Sequence, residues 1–216
     1  MSATLILASR SPRRQELLAR LGVDFDVATS DVDETPRPGE KPAELVQRLA
    51  RKKALAVAQR FPGQAVLGAD TIVVLDEVVL GKPADAAEAA AMLRSLRGRS
   101  HTVLSALFAW NPVTSHEASA LNETLVWMRE YADTEIAAYI ASGDPMDKAG
   151  AYAIQNSAFA PVERIDGCFS GVMGFPLADV TRVLERIDLQ TPTASLTACR
   201  PLAGWCCLEK SCTIDP

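Results

Sequence analysis

The chain has 216 residues, of which 48% are hydrophobic, so it is long enough to form one α/β domain with a substantial core. Its formal net charge of −5 argues against a general nucleic-acid-binding protein, because such a protein needs a broad positive surface. The sequence has no run of eighteen apolar residues and no basic and apolar segments of a signal peptide at its start. We therefore expect a cytoplasmic protein without a membrane span.

A short polar motif follows the first apolar run and is the most distinctive part of the sequence. The aliphatic residues Leu5–Leu7 predict a buried strand, and Ser11 is placed to cap a helix that begins at Pro12. Arg13 and Arg14, in the first turn of that helix, oppose the positive end of the helix dipole. This arrangement is tolerable if an anion such as a phosphate binds at the helix N-terminus. The alternative is a pair of solvated arginines on a surface helix.

The rest of the chain alternates strand-like and helix-like segments up to about residue 187. Helical patterns cover residues 13–21, 42–60, 86–96, 134–141 and 176–187. Strand patterns cover residues 24–28, 66–75, 78–80, 99–110, 117–129 and 162–165, and the two longest of these predict a β-hairpin. We expect the strand over 66–75 to be interrupted at Gly68–Thr71. Since no repeat or linker divides these segments, we predict one domain over residues 1–189.

The last part of the chain, residues 190–216, follows neither the helical nor the strand period. This pattern predicts an irregular, disordered tail. Cys168 lies in the body of the chain, whereas the tail contains Cys199, Cys206, Cys207 and Cys212. The tail has no histidine and no Cys-x-x-Cys pair, so its composition favours free thiols over a zinc site.

Asp70 is unusual because it is an acid in an otherwise apolar strand. A buried carboxylate is costly unless it is paired or binds a metal, so Asp70 is either a satisfied structural acid or part of a site. Three lysines at the ends of elements and two further acids are candidates to complete such a site: Lys53, Lys82, Lys148, Glu34 and Asp147. Each lysine alone is typical of a solvated charge, whereas cations combined with acids are what a metal–polyphosphate site requires. His101 lies among strand-like residues and is interpreted as structural.

Five short motifs occur in a defined order along the chain. They are Ser9-x-Ser11-Pro12-Arg13-Arg14, Gly68-Ala69-Asp70-Thr71, Gly81-Lys82-Pro83, Asp147-Lys148-Ala149-Gly150-x-Tyr152-x-Ile154-Gln155 and Val172-Met173-Gly174-Phe175-Pro176-Leu177. In this order they resemble the motifs of the Maf family, and the resemblance covers about residues 4–188. It implies an α/β fold with a mixed central sheet, flanking helices and two lobes around a deep cleft, similar to that of the inosine-triphosphate pyrophosphatases.

The resemblance to the Maf family also implies an activity. Members are nucleoside triphosphate pyrophosphatases, which use a divalent metal to convert a nucleotide to its monophosphate and pyrophosphate. Asp70 matches the general base of the family, and Glu34 and Asp70 are the implied ligands of Mg²⁺ or Mn²⁺. The implied substrate-binding positions are Ser9, Arg13, Arg14, Lys53, Thr71, Lys82, Lys148 and Gln155. The implied partners are the nucleotide and a second copy of the chain in a homodimer, with no nucleic acid and no membrane.

Gln155 is the residue expected to recognise the base. Together with Arg13 and Thr71 it matches the positions that separate the substrate branches of the family, and the combination resembles the branch that hydrolyses dTTP and UTP. Modified pyrimidine nucleotides are further candidate substrates, which would give the enzyme a role in sanitation of the nucleotide pool. Thymine and uracil present an N3–H donor beside carbonyl acceptors, and a glutamine amide both accepts and donates hydrogen bonds. A glutamate would instead suit the two donors of a guanine edge.

Two other functions stay open at the level of the sequence. The Maf family is associated with arrest of cell division and septum formation, so the chain could be a nucleotide-binding regulator that acts through a protein partner. Such a regulator would release no pyrophosphate. A nucleotidyltransferase is the other alternative, because similar Ser-Pro-Arg-Arg corners hold nucleotides in that class, and its activity would depend on a second substrate.

Overall fold

The computed structural model describes residues 5–199, and these residues form a seven-stranded sheet with helices on both faces. The strands are β1 (Leu5–Leu7), β2 (Phe25–Val27), β3 (Ala65–Leu75), β4 (Val78–Leu80), β5 (Ser100–Asn111), β6 (His116–Met128) and β7 (Val162–Asp166). The helices are α1 (Pro12–Ala19), α2 (Pro42–Ala58), α3 (Ala86–Leu96), α4 (Asp133–Ala141), α5 (Phe169–Val172), α6 (Leu177–Arg186) and α7 (Ser195–Cys199), and short 3-10 turns lie at Asp144–Asp147 and Ala149–Ala151. None of the described helices is long and apolar enough to cross a membrane.

The sheet is mixed, as the sequence predicts. Its strand order is β2-β1-β3-β5-β6-β7, and β4 pairs with β3 outside this path. Strand β1 is parallel to both β2 and β3, whereas all other pairings are antiparallel. The predicted hairpin is formed by β5 and β6, whose register runs from Ser100–Trp127 to Asn111–His116. The mixed α/β class and the long hairpin are therefore confirmed.

One edge of β3 is shared by two short strands that leave a gap between them. Strand β1 pairs with β3 as far as the Leu7–Leu67 pair, and β4 pairs with it from the Val73–Leu80 pair onward. Between these two ladders, residues 68–72 pair only with β5 on the opposite edge. A main-chain edge is thus left open in the middle of the sheet, and this gap contains Asp70 and Thr71.

The two faces of the sheet carry different layers. Helix α2 covers one face with an apolar cluster that includes Val46, Val66 and Phe108. Helices α1 and α6 pack on the other face at one end of the sheet, and α3 and α4 pack toward the other end. Successive side chains of a strand point to opposite faces. Asp70 accordingly faces α2, whereas its neighbour Thr71 faces the layer that contains α1 and α5.

Gly68 lets α2 lie unusually close to β3. A Cβ atom at this position would lie 2.4 Å from the carbonyl oxygen of Ala50 and 2.8 Å from the Cβ of Ala54. Real Cβ atoms do not make contacts this short, so no larger residue fits without displacing the helix. Lys53 lies on the same helix, and the missing Cβ of Gly68 therefore sets how closely Lys53 approaches Asp70.

The predicted interruption of β3 at Gly68–Thr71 is wrong. The strand is continuous over eleven residues, from Ala65 to Leu75. The glycine does not break the strand because it is paired with Phe108 on β5, and the buried acid is accommodated by an ion pair with a lysine of α2. The pattern that suggested a break instead marks the close contact between α2 and the strand.

The first part of the predicted tail packs against the body of the protein. The amide of Thr193 donates to the carbonyl of Leu21 at 3.0 Å, and α7 lies against α6 with Ala198 and Cys199 buried. The tail is therefore ordered through residue 199, because small apolar side chains on α7 complete the core beside α6. Residues 200–216, with Cys206, Cys207 and Cys212, lie outside the described residues.

Candidate active site

A cleft of about 760 Å³ opens at the gap in the sheet. Its walls come from the β1–α1 corner, the loop after β2, helix α2, strands β3 and β4, the two 3-10 turns and the corner after α5. All of the residues that the sequence predicts for substrate or metal binding line this one cleft: Ser9, Arg13, Arg14, Glu34, Lys53, Asp70, Thr71, Lys82, Lys148 and Gln155. Residues as distant as 9 and 155 in the sequence are thus brought together.

Asp70, Lys53 and Glu34 form a charged cluster on the α2 side of β3. The Nζ atom of Lys53 lies 2.6 Å from Oδ1 of Asp70 and 2.8 Å from Oε1 of Glu34. Asp70 is 6% exposed. Burial raises the pKa of the Asp70 carboxyl group, and the positive charges of Lys53 and Arg14 act in the opposite direction. A carboxylate with a raised pKa binds a proton more readily, which suits a general base.

Arg14 does not present its charge to the cleft in the way that the sequence suggests. Its guanidinium group donates four hydrogen bonds: to Gly174 O at 2.9 Å, Ala69 O at 2.8 Å, Thr71 Oγ1 at 3.0 Å and Ser9 Oγ at 3.4 Å. The carbonyl of Ala69 belongs to the open edge of β3, so Arg14 takes the place of a neighbouring strand there. The side chain ties helix α1 to β3 and to the corner that follows α5.

The expected side-chain cap at the start of α1 is absent. Ser11 occupies the N-cap position and Pro12 begins the helix, as predicted, but the Ser11 side chain makes no cap hydrogen bond. Instead, the Ser11 amide donates to Oγ of the buried Ser9 at 3.2 Å. The hydroxyl of Ser9 is thereby used to shape the corner between β1 and α1.

Arg13, Asp147 and Lys148 connect α1 to the first 3-10 turn. Nη1 of Arg13 lies 3.1 Å from Oδ2 of Asp147, and Nζ of Lys148 lies 2.6 Å from Oδ1 of the same carboxylate. Lys148 is buried and also donates to the side chain of Asp144 at 3.0 Å and to its carbonyl oxygen. All three protons of Lys148 are therefore used within this turn. Arg13 is more available to a ligand than Lys148, because its single ion pair is with an exposed carboxylate.

Gln155 and Lys82 lie at the exposed rim of the cleft. Neither side chain has an ion pair or hydrogen bond among those found for residues 5–199. Gln155 follows Tyr152, whose ring is buried and whose hydroxyl lies 2.7 Å from Nε2 of His101. The amide of Gln155 thus lies three residues beyond a buried anchor, with its donors and acceptor available to a ligand.

His101 has a structural role, as the sequence predicts, and its environment keeps it uncharged. It is 3% exposed, and burial lowers the pKa of its imidazole to about 4. The sequence did not predict its contact with Tyr152, nor the hydrogen bond of Ser105, four residues farther along the same face of β5, to the carbonyl of Gly171. For His101 the available signal was a polar ring among strand-like residues.

The acids of the cleft fit a divalent metal only in combination with a substrate. Within residues 5–199 there is no cluster of three or more His, Cys, Asp or Glu side chains placed to hold a metal ion. Asp70 and Glu34 converge on one ammonium group, which shows that two carboxylates can share a cation at this place. Mg²⁺ is commonly held by one or two carboxylates together with substrate phosphates and water. The donor set therefore fits a metal that enters with a polyphosphate.

Comparisons with known proteins show the family of this chain. The family described as Maf-like protein matches residues 4–187. A dTTP/UTP pyrophosphatase from Geobacter sulfurreducens is 50% identical over 183 residues, which cover 85% of this chain and 96% of that protein. A dTTP/UTP pyrophosphatase from Symbiobacterium thermophilum is 51% identical over 182 residues, which cover 84% of this chain and 93% of that protein. The family match spans all the residues that line the cleft, and we conclude that this chain belongs to the Maf family.

Proposed function

We propose that this protein is a nucleoside triphosphate pyrophosphatase that hydrolyses dTTP and UTP to the monophosphate and pyrophosphate. The observation that carries the proposal is the buried carboxylate of Asp70 in a cleft lined by Arg13, Lys53 and Lys82. Two relatives named dTTP/UTP pyrophosphatases, which are 50% and 51% identical to this chain, support the proposal that it acts on the same substrates.

Asp70 acts as the general base in this proposal. It removes a proton from the water molecule that attacks the α-phosphorus, and the β- and γ-phosphates leave together as pyrophosphate. Burial disfavours the charged carboxylate, so transfer of a proton to Asp70 is easier than it would be in water. Lys53 holds Oδ1 of Asp70 at 2.6 Å and thereby fixes the direction in which the carboxylate faces the cleft.

The cations of the cleft stabilise the charge that develops on the leaving phosphates. Arg13 and the N-terminus of α1 are placed to bind the phosphates from one side, and Lys82 from the opposite rim. Arg14 contributes mainly indirectly, because four of its five N–H donors are bonded to the protein. Lys148 likewise acts by holding Asp147, the carboxylate that pairs with Arg13.

We further propose that Asp70 and Glu34 hold Mg²⁺ or Mn²⁺ when the nucleotide binds. The bound cation would lower the pKa of a water molecule and offset charge on the phosphates. Gln155 would pair with the N3–H and carbonyl groups of thymine or uracil. Its position at the rim, without a partner among the described residues, supports this role.

Pyrophosphate release from a panel of nucleotides tests the proposal. The purified protein is incubated with dTTP, UTP, dCTP and dGTP and with Mg²⁺ or Mn²⁺. We expect release from dTTP and UTP, and an Asp70→Asn variant should lose about 10²–10⁴-fold in kcat while it still binds nucleotide. Asp76→Asn, in the exposed turn at the end of the same strand, is the matched control. Nucleotide binding without pyrophosphate release by the wild-type protein would instead favour the regulatory alternative.

A further inference from the structure

A pair of hydroxyl groups, on Thr71 in the wall of the cleft and on the buried Ser105 behind it, connects β3 to β5. Thr71 on β3 and Ser105 on β5 are direct cross-strand partners, and their hydroxyl oxygens are 2.9 Å apart. Ser105 is 1% exposed, and its Oγ lies 2.8 Å from the carbonyl oxygen of Gly171. On the other side, Nη2 of Arg14 lies 3.0 Å from Oγ1 of Thr71. Four groups therefore form one continuous chain of hydrogen bonds.

The chemistry of the two ends fixes the direction of every hydrogen bond in this chain. A guanidinium group can only donate, so Thr71 accepts from Arg14. A carbonyl oxygen can only accept, so Ser105 donates to Gly171. The contact between the two hydroxyls is then a hydrogen bond only if Thr71 donates to Ser105, at 2.9 Å, and the other acceptor near the Thr71 hydroxyl, Gly174 O at 3.4 Å, also belongs to the protein. Because the proton of Thr71 is used in this way, the hydroxyl group cannot also donate to a bound nucleotide.

The chain of hydrogen bonds holds a corner that forms part of the cleft. The corner comprises residues 171–174, of which 172–174 line the cleft. Its first carbonyl, on Gly171, is bonded to Ser105, and its last, on Gly174, accepts from Nε of Arg14 at 2.9 Å. Gly174 has a φ of +100°, and a Cβ atom there would lie 3.1 Å from Oγ1 of Thr71. The corner is therefore fitted closely against Thr71.

We propose that Thr71 and Ser105 are positioning residues, which set nucleotide affinity and selectivity by fixing the 171–174 corner rather than by contact with the base. The inference rests on the proposed function, since it assumes that the nucleotide occupies the cleft that this corner lines. Ser105 belongs to none of the sequence motifs that point to the site. It acts entirely from behind the cleft wall, through Thr71 and Gly171.

The test compares variants that remove one hydroxyl with a variant that keeps it. Thr71→Val and Ser105→Ala each break the chain, whereas Thr71→Ser retains the hydroxyl. We expect the first two to raise KM for dTTP about fivefold to twentyfold with kcat within about threefold, and Thr71→Ser to stay within about twofold of wild type. The double variant should be no worse than the poorer single variant, because the chain is already broken once.

Hydrogen exchange of the corner provides a readout that does not depend on turnover. Without nucleotide, amides of residues 171–174 should exchange faster in Thr71→Val and Ser105→Ala than in wild type. Thr181→Val is the control, because the hydroxyl of Thr181 bonds a helical carbonyl, that of Leu177 on α6, and the variant should change neither KM nor exchange at the corner.

The outcomes separate this inference from the proposed function. A wild-type protein that releases no pyrophosphate from any nucleotide overturns the proposed function. Turnover by wild type with unchanged KM in both Thr71→Val and Ser105→Ala overturns the positioning role alone. Reduced thermal stability of these variants with unchanged exchange at the corner and unchanged KM would show that the hydroxyl pair is only structural, and would likewise overturn the inference.

Discussion

The two faces of β3 at Asp70 and Thr71 differ in what their polar groups can still do. On the α2 side, Asp70 and Glu34 both form an ion pair with Lys53. These ion pairs can be exchanged for contacts with a bound cation or phosphate. On the other side, the hydroxyl of Thr71 is bonded to fixed partners in a chain that ends on a main-chain carbonyl. The consecutive residues Asp70 and Thr71 therefore differ in role. In the proposed mechanism, the face with the ion pairs provides the chemistry, and the face with the chain of hydrogen bonds keeps the shape of the cleft.

The largest expected effect comes from a displacement of helix α2, which carries Lys53, away from β3. In Gly68→Ala, the added Cβ would force α2 away from β3 and carry Lys53 away from Asp70. We expect a loss of about 1–3 kcal/mol in the free energy of unfolding, and a loss of about 10²-fold in kcat/KM, because small misplacements of catalytic groups are costly. Urea unfolding and pyrophosphate release measure the two effects. Gly81→Ala, where the added Cβ meets no atom within 4 Å, is the control for stability, and equal stability of the two variants would contradict the account.

Removal of the Lys53 charge tests the electrostatic contribution of the cluster formed by Lys53, Asp70 and Glu34, without moving α2. Lys53→Met leaves Asp70 and Glu34 without the ammonium group between them, and we expect kcat/KM for dTTP to fall about 10²-fold. Lys52→Met is the matched control, because Lys52 lies next in sequence but bonds only the carbonyl of Asp33 on the surface. Steady-state kinetics compare the two variants. Equal activities in Lys53→Met and Lys52→Met would show that the charged cluster does not take part in the reaction.

Substitution of Gln155, the residue expected to recognise the base, should have a smaller effect, which depends on the nucleotide offered. Gln155→Glu replaces an amide that donates and accepts by a group that only accepts, so the carbonyl edges of thymine lose a donor. We expect kcat/KM for dTTP to fall about 10-fold to 100-fold, with a smaller loss for dGTP. Gln59→Glu, at the exposed end of α2, introduces the same charge outside the cleft as a control. An unchanged preference for dTTP in Gln155→Glu would remove Gln155 from base recognition.

The last expected effect is confined to acid conditions and to stability, and it concerns the Thr71 side of the sheet. His101 is neutral when folded, with its pKa lowered to about 4, whereas the unfolded chain binds the proton near pH 6.5. The unfolded state thus takes up a proton first as the pH falls, and stability decreases between pH 6.5 and 4. The contribution of His101 to that decrease is on the order of 3 kcal/mol at the acid limit.

Thermal denaturation between pH 7 and 4.5 measures this contribution. We expect the melting temperature of His101→Asn to fall less steeply with decreasing pH than that of wild type. His116→Asn is the control, because His116 is exposed and pairs with Asp188 on the surface. Parallel curves for wild type and His101→Asn would show that His101 does not resist protonation in the folded protein.

Most of the fold and the membership of the cleft could be predicted from the sequence. The periodicity located the main helices and the long hairpin, and the ordered motifs identified the residues that line the cleft. Helices and strands could be predicted because they depend on the local pattern of apolar and polar residues. The cleft residues could be predicted because the side chains of one motif tend to face the same site. Asp70 is an example: a buried acid is costly unless it is paired or binds a metal, and one of the three candidate lysines, Lys53, pairs with it.

The roles of individual cations could not be predicted, because they depend on main-chain atoms that sequence patterns do not show. Arg14 looked like a phosphate ligand, but two of its partners are the carbonyls of Ala69 and Gly174, which are 55 and 160 residues away. Lys148 likewise turned out to be used within its own turn. Ser105 escaped notice because a single hydroxyl in an apolar strand has no distinctive spacing.

The open edge of β3 has a further consequence for contact with other chains. An unpaired strand edge invites addition of a strand from another chain. At residues 68–72 the edge lies inside a cleft, and the guanidinium of Arg14 already bonds the carbonyl of Ala69 that an incoming strand would need. The side chain that ties α1 to β3 thus also occupies an acceptor that strand addition at this edge would require.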